Sequence, residues 1–217
     1  MRTDTFWDVV EAARAQVTDP VREPERVAEA LVEQLVTLPA DEIVAFQLVL
    51  DELLRASYRW DLWAAAYLVN GGCSDDGFDY FRGWLVAQGR TVWEAALADP
   101  DSLAELVTAG RPEIAECEEL LEAAAGAFAR VTGRDEEAFF DLIDEREPAL
   151  SDLPASPAGP GEGGPGDAGP DQGGPGEGGG WPLPGLDPSG EEFDFDDAGE
   201  LAARLPRLSA LYLPQEG

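Results

Sequence analysis

Seven polar residues between positions 61 and 82 have the types needed to bind a ligand or to transfer a proton. Grouped carboxylates can hold Mg²⁺ or Ca²⁺ or act as general acid and base, and the fork of an arginine fits a carboxylate or a phosphate. The sequence identifies neither a cofactor nor a particular metal. One hypothesis is therefore a carboxylate-based enzyme or small-molecule binder that uses a candidate cluster of Asp61, Asn70, Ser74, Asp75, Asp76, Asp79 and Arg82.

Two residue types that carry much of enzyme chemistry are absent, since the chain has no His and all of its basic residues are Arg. It therefore cannot form a Ser-His-Asp triad or a His-liganded zinc site, and it has no Lys for a Schiff base or a P-loop. Cys73 and Cys117 are too few for a zinc site made of Cys alone. Cys73 precedes three acids and has no His base, so we expect no catalytic role for it. The sequence assigns no catalytic residue.

The same acids can also have a purely structural role at the start of a helix. We favour this structural role over a functional one. Asp75 or Asp76 would cap a helix that begins near Ser74, and Asp79 lies one helical turn before Arg82. The order of Asp and Gly does not match an EF-hand loop. Asp61 and Arg82 are isolated charges in apolar segments, which predicts a buried Asp61–Arg82 pair; a pair that faces a substrate is the alternative.

Aromatic residues surround these charges along two successive predicted helices. They predict a core between two antiparallel helices, and a ligand slot lined by the rings is the alternative. The aromatic set consists of Trp60, Trp63, Tyr67, Phe78, Tyr80, Phe81 and Trp84.

The charge balance narrows the choice of partners. The chain has 45 acidic and 14 basic residues, a net charge of −31, which repels phosphates and anionic lipids. We therefore expect no direct contact with nucleic acid or membrane, whereas a protein partner, including a basic one, fits the charge. The N-terminus has no apolar segment typical of a signal peptide, so we expect a cytoplasmic protein.

Helical periodicity dominates residues 1–150 and predicts a single all-α domain of about eight or nine helices. The segment Trp60–Asn70 is apolar almost all round and is expected to be a central buried helix. Gly71 and Gly72 should end it. The predicted segments are 5–17, 23–38, 41–58, 60–70, 74–88, 91–98, 101–107, 113–131 and 135–146.

The rest of the chain divides into a linker and a tail. Residues 151–190 contain 14 Gly and 9 Pro, a composition that predicts a disordered, acidic insertion. Residues 191–217 recover apolar periodicity and are expected to pack back on the helical domain. The predicted organisation is thus a helical domain over 1–150, a linker over 151–190 and a C-terminal segment over 191–217.

One long block resembles a known family. It is YRWDLWAAAYLVNGGCSDDGFDYFRGWLVAQGRTVWEAALADPDSLA, residues 58–104, and TFWDVVEAA precedes it at residues 5–13. Both are similar to the bacterial family catalogued as domain of unknown function 4240, and the resemblance covers most of residues 3–145. It implies an uncharacterised protein and no site assignment. The segment RLPRLSALY, residues 204–212, also resembles the family, which implies that the tail belongs to the domain.

Three functions are compatible with these observations. The leading hypothesis is a non-catalytic protein-interaction or regulatory module that meets a protein partner. The second is the carboxylate and arginine enzyme or metal binder described above. The third is an acidic antagonist of a basic protein, which would need acids arrayed on one face.

Overall fold

Apolar residues at helical spacing form α-helices throughout residues 1–110, 112–146 and 187–214, the part of the chain that the computed structural model describes. A 3₁₀ turn, Pro100–Ser102, precedes α7. The helices are α1 (Thr3–Arg14), α2 (Pro24–Leu35), α3 (Ala40–Ala56), α4 (Trp60–Asn70), α5 (Asp75–Ala87), α6 (Arg90–Ala98), α7 (Leu103–Ala109), α8 (Glu118–Thr132), α9 (Glu136–Arg146), α10 (Ala198–Arg204) and α11 (Pro206–Tyr212).

The predicted all-α class is confirmed. In the described ranges the only extended pairing is a single bridge between Arg59 and Ser189. Nine α-helices lie in residues 1–146, in agreement with the predicted eight or nine, and two more lie in the C-terminal segment. Most of the predicted linker, residues 151–186, lies outside the described residues. Residues 147–150 at the end of the predicted helical domain and residues 215–217 at the end of the C-terminal segment also lie outside them.

Helix ends follow local sequence signals. Pro24 opens α2 at a position where its missing N–H costs no hydrogen bond. Gly71 follows α4 with φ of 71°, and Gly133 follows α8 with the same φ. These left-handed conformations favour glycine, so the predicted stop at Gly71 is confirmed.

The start of α8 differs from the prediction. The sequence predicts a helix from residue 113, but α8 begins at Glu118. The Cys117 N–H donates to the carbonyl oxygen of Tyr80 at 2.9 Å, and the Ala115 N–H donates to Oδ1 of Asn70 at 2.8 Å. These contacts with distant parts of the chain hold the backbone amides that a helix would otherwise use.

The core is built around α5 and α8. Helix α8 packs on α2, α3 and α5, and ten residues of the 13-residue α5 are buried. Helix α4, predicted to be central, is buried on one face only. Its other face carries Trp60, Trp63 and Tyr67, which remain partly exposed and contact the C-terminal segment. Helix α4, which is apolar almost all round, thus packs against the core with one face and against the C-terminal segment with the other.

Two helical glycines give a matched test of this packing. A Cβ at Gly83 would overlap the carbonyl oxygen of Cys117, whereas a Cβ at Gly126 would meet no atom within 4 Å. We expect Gly83→Ala to lower the free energy of unfolding by about 1–3 kcal/mol, because the junction between α5 and α8 must open. Gly126→Ala should raise it by about 0.5–1 kcal/mol through helix propensity. Urea denaturation of both variants measures the difference, and equal effects would contradict the close approach.

Candidate functional site

The turn between α4 and α5 is capped by Ser74. Its Oγ accepts a hydrogen bond from the Gly77 N–H at 3.1 Å. The prediction that Asp75 or Asp76 caps α5 is therefore wrong by one or two positions. Both acids lie exposed in the first turn of α5, where their negative charge interacts favourably with the helix dipole.

Asp75 faces the start of α4 instead. Its Oδ1 accepts a hydrogen bond from the hydroxyl of Tyr58 at 3.3 Å. Burial, together with the negative charge of Asp75, raises the pKa of Tyr58 to about 12. The phenol therefore stays protonated at neutral pH and acts as a hydrogen-bond donor, not as a base.

Asp79 and Arg82 form a buried ion pair one turn apart on α5, with side chains 8% and 1% exposed. The guanidinium also donates to the carbonyl oxygen of Leu54 at 2.7 Å, an oxygen in the last turn of α3. The Arg82 Cζ lies 4.8 Å from the ring centre of Tyr58 and 5.0 Å from that of Phe78. The ion pair therefore links α5 to the end of α3. The rings of Tyr58 and Phe78 lie against the guanidinium.

The predicted pairing of Asp61 with Arg82 is wrong. Asp61 bonds instead to Arg59, with 2.6 Å between Nη2 and Oδ2 and 3.0 Å between Nε and Oδ1. Arg59 also donates to the carbonyl oxygen of Leu97 at 2.7 Å. The physical reason is proximity along the chain, because each charged residue finds a partner within three positions.

Asn70 positions the segment before α8. Besides accepting from Ala115, its Nδ2 lies 3.4 Å from Oε1 of Glu116. Burial raises the pKa of Glu116. Sequence reasoning did not single out Glu116, since no motif or spacing sets it apart from the other acids of this acidic chain.

The aromatic residues pack ring on ring. Trp63 of α4 stacks on Phe78 of α5 with centroids 4.9 Å apart and an angle of 8°. Phe81 and Trp84 are fully buried on α5, where their rings are 5.4 Å apart. Tyr80 departs from the prediction: it is partly exposed, and its hydroxyl donates to Glu118 at 3.1 Å. These stacked rings occupy the junction that a ligand slot would need.

Cys73 is half-buried beside Gly77 and Glu116, and it is not disulfide-bonded. Burial, with the nearby charge of Glu116, raises the pKa of its thiol to about 12. Native Cys73 should therefore react with iodoacetamide at pH 8 at least about a hundredfold more slowly than in the urea-unfolded chain, because the thiolate is the reactive form. Mass spectrometry in a Cys117→Ala background measures this rate. A native rate equal to the unfolded one would restore a nucleophilic role for Cys73.

The structure thus places four of the seven candidate residues, Asn70, Ser74, Asp75 and Asp76, at the turn from α4 to α5. Asp79 and Arg82 lie further along α5, and Asp61 lies at the opposite end of α4 beside Arg59. Each of the seven makes a structural contact or lies exposed at the start of α5. Among residues 1–110, 112–146 and 187–214, no three Cys, Asp or Glu residues are grouped so that they could hold a metal ion. Over the same described ranges, no helix combines the length and the apolar character needed to span a bilayer.

A second, larger contact region lies where the C-terminal segment (residues 187–214) meets the helical domain. The segment begins with backbone hydrogen bonds on both sides of Arg59: the Trp60 N–H donates to Ser189 at 3.0 Å, and the Ser189 N–H donates to Tyr58 at 2.9 Å. Phe195 then packs on the exposed face of α4. Sequence reasoning predicted that this segment packs back but did not predict where.

Phe195 and its neighbours contact the aromatic side chains of α4. The ring of Phe195 lies 5.9 Å from Trp60, 6.3 Å from Trp63 and 5.6 Å from Tyr67. The Tyr67 hydroxyl donates to Asp196 at 2.7 Å. The α4 face therefore packs against a turn of the C-terminal segment that carries an aromatic residue and an acid.

Helix α11 contacts α4, α7 and the 3₁₀ turn, and Asp101 is the centre of this contact. The Asp101 side chain is 6% exposed and Arg207 bonds to it through Nε at 3.1 Å. The backbone N–H groups of Arg207 and Leu208 also donate to the Asp101 carboxylate, at 3.0 and 2.9 Å. Sequence reasoning missed Asp101 and Arg207, and the RLPRLSALY segment was the available signal.

Comparison with known proteins agrees with the resemblance found in the sequence. A family model described as "Protein of unknown function (DUF4240)" matches residues 1–130. Searches of curated proteins and of solved structures gave no match. Since the matched range covers more than half of the 217 residues, the chain belongs to the DUF4240 family of proteins of unknown function.

Proposed function

We propose that this protein is a non-catalytic protein-interaction module. The observation that carries the proposal is that the helical domain holds a peptide-like segment, residues 187–214, on the surface of α4, α7 and the 3₁₀ turn. The contacts are edge-to-face aromatic packing on Trp60 and Trp63, backbone pairing at Arg59 and charge-assisted hydrogen bonds to Asp101. These are the kinds of contact by which protein domains recognise short segments of partners.

The contacts of the candidate cluster support a non-catalytic role. Ser74 caps α5, Asp79 and Arg82 are buried against each other, and Asn70 holds the segment before α8. The thiol of Cys73 and the phenol of Tyr58 both have a pKa of about 12. At neutral pH both groups are protonated, and a general base or nucleophile needs a pKa nearer to 7.

The charge favours a protein as the partner. A net charge of −31 repels nucleic acids and anionic lipids and speeds encounters with basic proteins. A partner with a basic surface would thus be attracted over distances of about a Debye length, roughly 8 Å at physiological salt.

Affinity capture from a lysate of the native host tests the proposal. The full chain serves as bait at roughly 0.15 M salt, and an unrelated protein of similar acidic charge serves as the control bait. We expect the full chain to retain at least one protein that the control does not retain. If the two baits retain the same proteins, binding reflects charge alone and the proposal fails.

Calorimetry addresses the competing catalytic hypothesis. Mg²⁺, Ca²⁺ and Mn²⁺ are titrated into the wild-type chain and into an Asp75→Asn/Asp76→Asn variant. We expect the same weak heats for both proteins, because exposed acids in a first helical turn bind metals poorly. Saturable binding that the double substitution abolishes would contradict a purely structural role for this turn.

A further inference from the structure

The N-terminus of α11 has no acceptor of its own. Its N-cap residue is Leu205, which makes no side-chain cap, and Pro206 follows. The next two amides, those of Arg207 and Leu208, donate to Asp101, which lies 106 and 107 positions earlier in the chain. Asp101 thus supplies from another element the cap that helix ends require.

The side chain of Arg207 adds charge recognition at the same place. Its Nε bonds to Asp101, its Nη2 to Asp99 at 2.9 Å and its Nη1 to Glu105 at 3.2 Å. Three carboxylates of the domain therefore meet one arginine. Cationic groups near a helix N-terminus are unfavourable for the helix itself, so this arginine is accounted for by the carboxylates that it meets.

Apolar contacts complete the recognition. Leu205 and Leu208, on either side of Pro206 and Arg207, are 2% and 0% exposed. The surface thus contacts two apolar residues and the arginine between them at the start of a short helix. We call the surface formed by Asp99, Asp101 and Glu105, together with the adjoining parts of α4 and α7, the arginine-helix site.

The C-terminal segment as a whole is poorly matched to the acidic domain in charge, although residues 203–214, which occupy the site, contain no acid. Residues 187–214 contain seven acids and two arginines, and residues 1–146 are also strongly acidic. Like charges repel, but the covalent connection gives the segment an effective concentration that offsets a weak affinity. A partner segment with the same leucines and arginine and without the acids would gain from the charge of the domain.

We propose that the arginine-helix site is a docking site for a short helix of a protein partner with an arginine between two leucines in its first turn, and that this partner helix displaces α11. The proposal rests on the proposed function, because it assigns to that interaction a surface and a ligand chemistry. Helix α11 occupies the site in this structure, and its side chains indicate which side chains the partner helix should have.

The test uses the full chain and a synthetic peptide of residues 203–214, which contains both arginines and no acid. Fluorescence anisotropy measures its binding to the wild-type chain, to an Arg207→Ala chain and to an Asp101→Ala chain. We expect the Arg207→Ala chain to bind the peptide at least about tenfold more tightly than the wild type, because its own α11 competes less well for the site.

Two controls address specificity. The Asp101→Ala chain should bind the peptide at least about tenfold more weakly than the Arg207→Ala chain, although in both chains the contacts of α11 are weakened. A peptide in which Arg207 is replaced by Glu should not bind any of the three proteins. Equal binding to all three proteins, or binding that does not depend on the arginine, would overturn the proposal.

Displacement has its own readout. In the ¹⁵N-labelled wild-type chain, saturating unlabelled peptide should speed hydrogen exchange at the Leu208 amide, which is otherwise bonded to Asp101. Unchanged exchange with bound peptide would overturn displacement. A concentration-dependent dimer of the wild-type chain in light scattering would instead make a second copy the occupant and overturn the assignment to another protein. If the peptide does not bind but affinity capture retains a partner, the proposed function stands and the assignment of the partner to the arginine-helix site is overturned.

Discussion

Replacement of Asp79 by leucine is expected to lower the free energy of unfolding by about 3 kcal/mol, a large fraction of the about 5–15 kcal/mol that stabilises a typical domain. The substitution removes the carboxylate that Asp79 supplies to the buried guanidinium of Arg82. Burial already raises the pKa of Asp79 and lowers that of Arg82, so each charge depends on the other to offset its loss of hydration. Urea denaturation followed by circular dichroism measures the change.

A double-mutant cycle provides the control for Asp79. In the Asp79→Leu/Arg82→Met variant both charges are absent and apolar side chains take their places, a replacement that is often neutral or stabilising for a buried ion pair. The carbonyl oxygen of Leu54 would lose Arg82 as a donor but would keep the Ser57 hydroxyl at 3.0 Å. We therefore expect the double variant to be more stable than Asp79→Leu alone. A single substitution that costs less than the double would contradict the ion-pair interpretation.

The second large effect is expected at Asp101, where alanine should release α11 while the helical domain stays folded. The carboxylate accepts from the Arg207 and Leu208 amides, and hydrogen bonds to a charged group contribute about 1.5–3 kcal/mol each. A loss of about 3 kcal/mol shifts the ratio of docked to released segment by about a hundredfold. A helix of seven residues is not stable without such contacts.

Limited trypsin digestion measures the release of α11. Cleavage after Arg204 and Arg207 should accelerate in Asp101→Ala, whereas the unfolding midpoint of the helical domain should change little. Glu105→Ala is the matched control, because Glu105 contacts the same arginine but its side chain is 84% exposed, and exposed pairs contribute little. Equal acceleration in both variants would show that Asp101 has no special role.

Local features of this chain could be predicted from its sequence, because their causes lie within one or two helical turns. The apolar spacing predicts nine helical segments in residues 1–146, and the structure contains nine α-helices there. Gly71 ends α4 because its own backbone adopts a positive φ, which glycine tolerates. Ser74, and not the neighbouring aspartates, caps α5, an error of one or two positions that depends on side-chain geometry at the turn.

Contacts between distant residues were predicted poorly, and the candidate cluster illustrates why. The prediction for Asp61 and Arg82 assumed that isolated charges on neighbouring helices must meet. Arg59 lies two positions from Asp61, and Asp79 three positions from Arg82, so each pair forms with less loss of chain entropy than a contact between helices. Periodicity does not reveal which of several nearby partners a charge selects.

By itself the sequence determined the all-α class, the strong negative charge, the absence of His and Lys chemistry and the family. The helical class depends on hydrogen bonds between residues about four positions apart, while the charge, the missing residue types and the family can be read from the order and types of the residues. Only the tertiary structure decided that Phe195 contacts α4 and that Asp101 caps α11. The physical reason is that Asp101 and Leu208 are 107 positions apart, and only the packing of α4, α7 and α11 brings them within hydrogen-bonding distance.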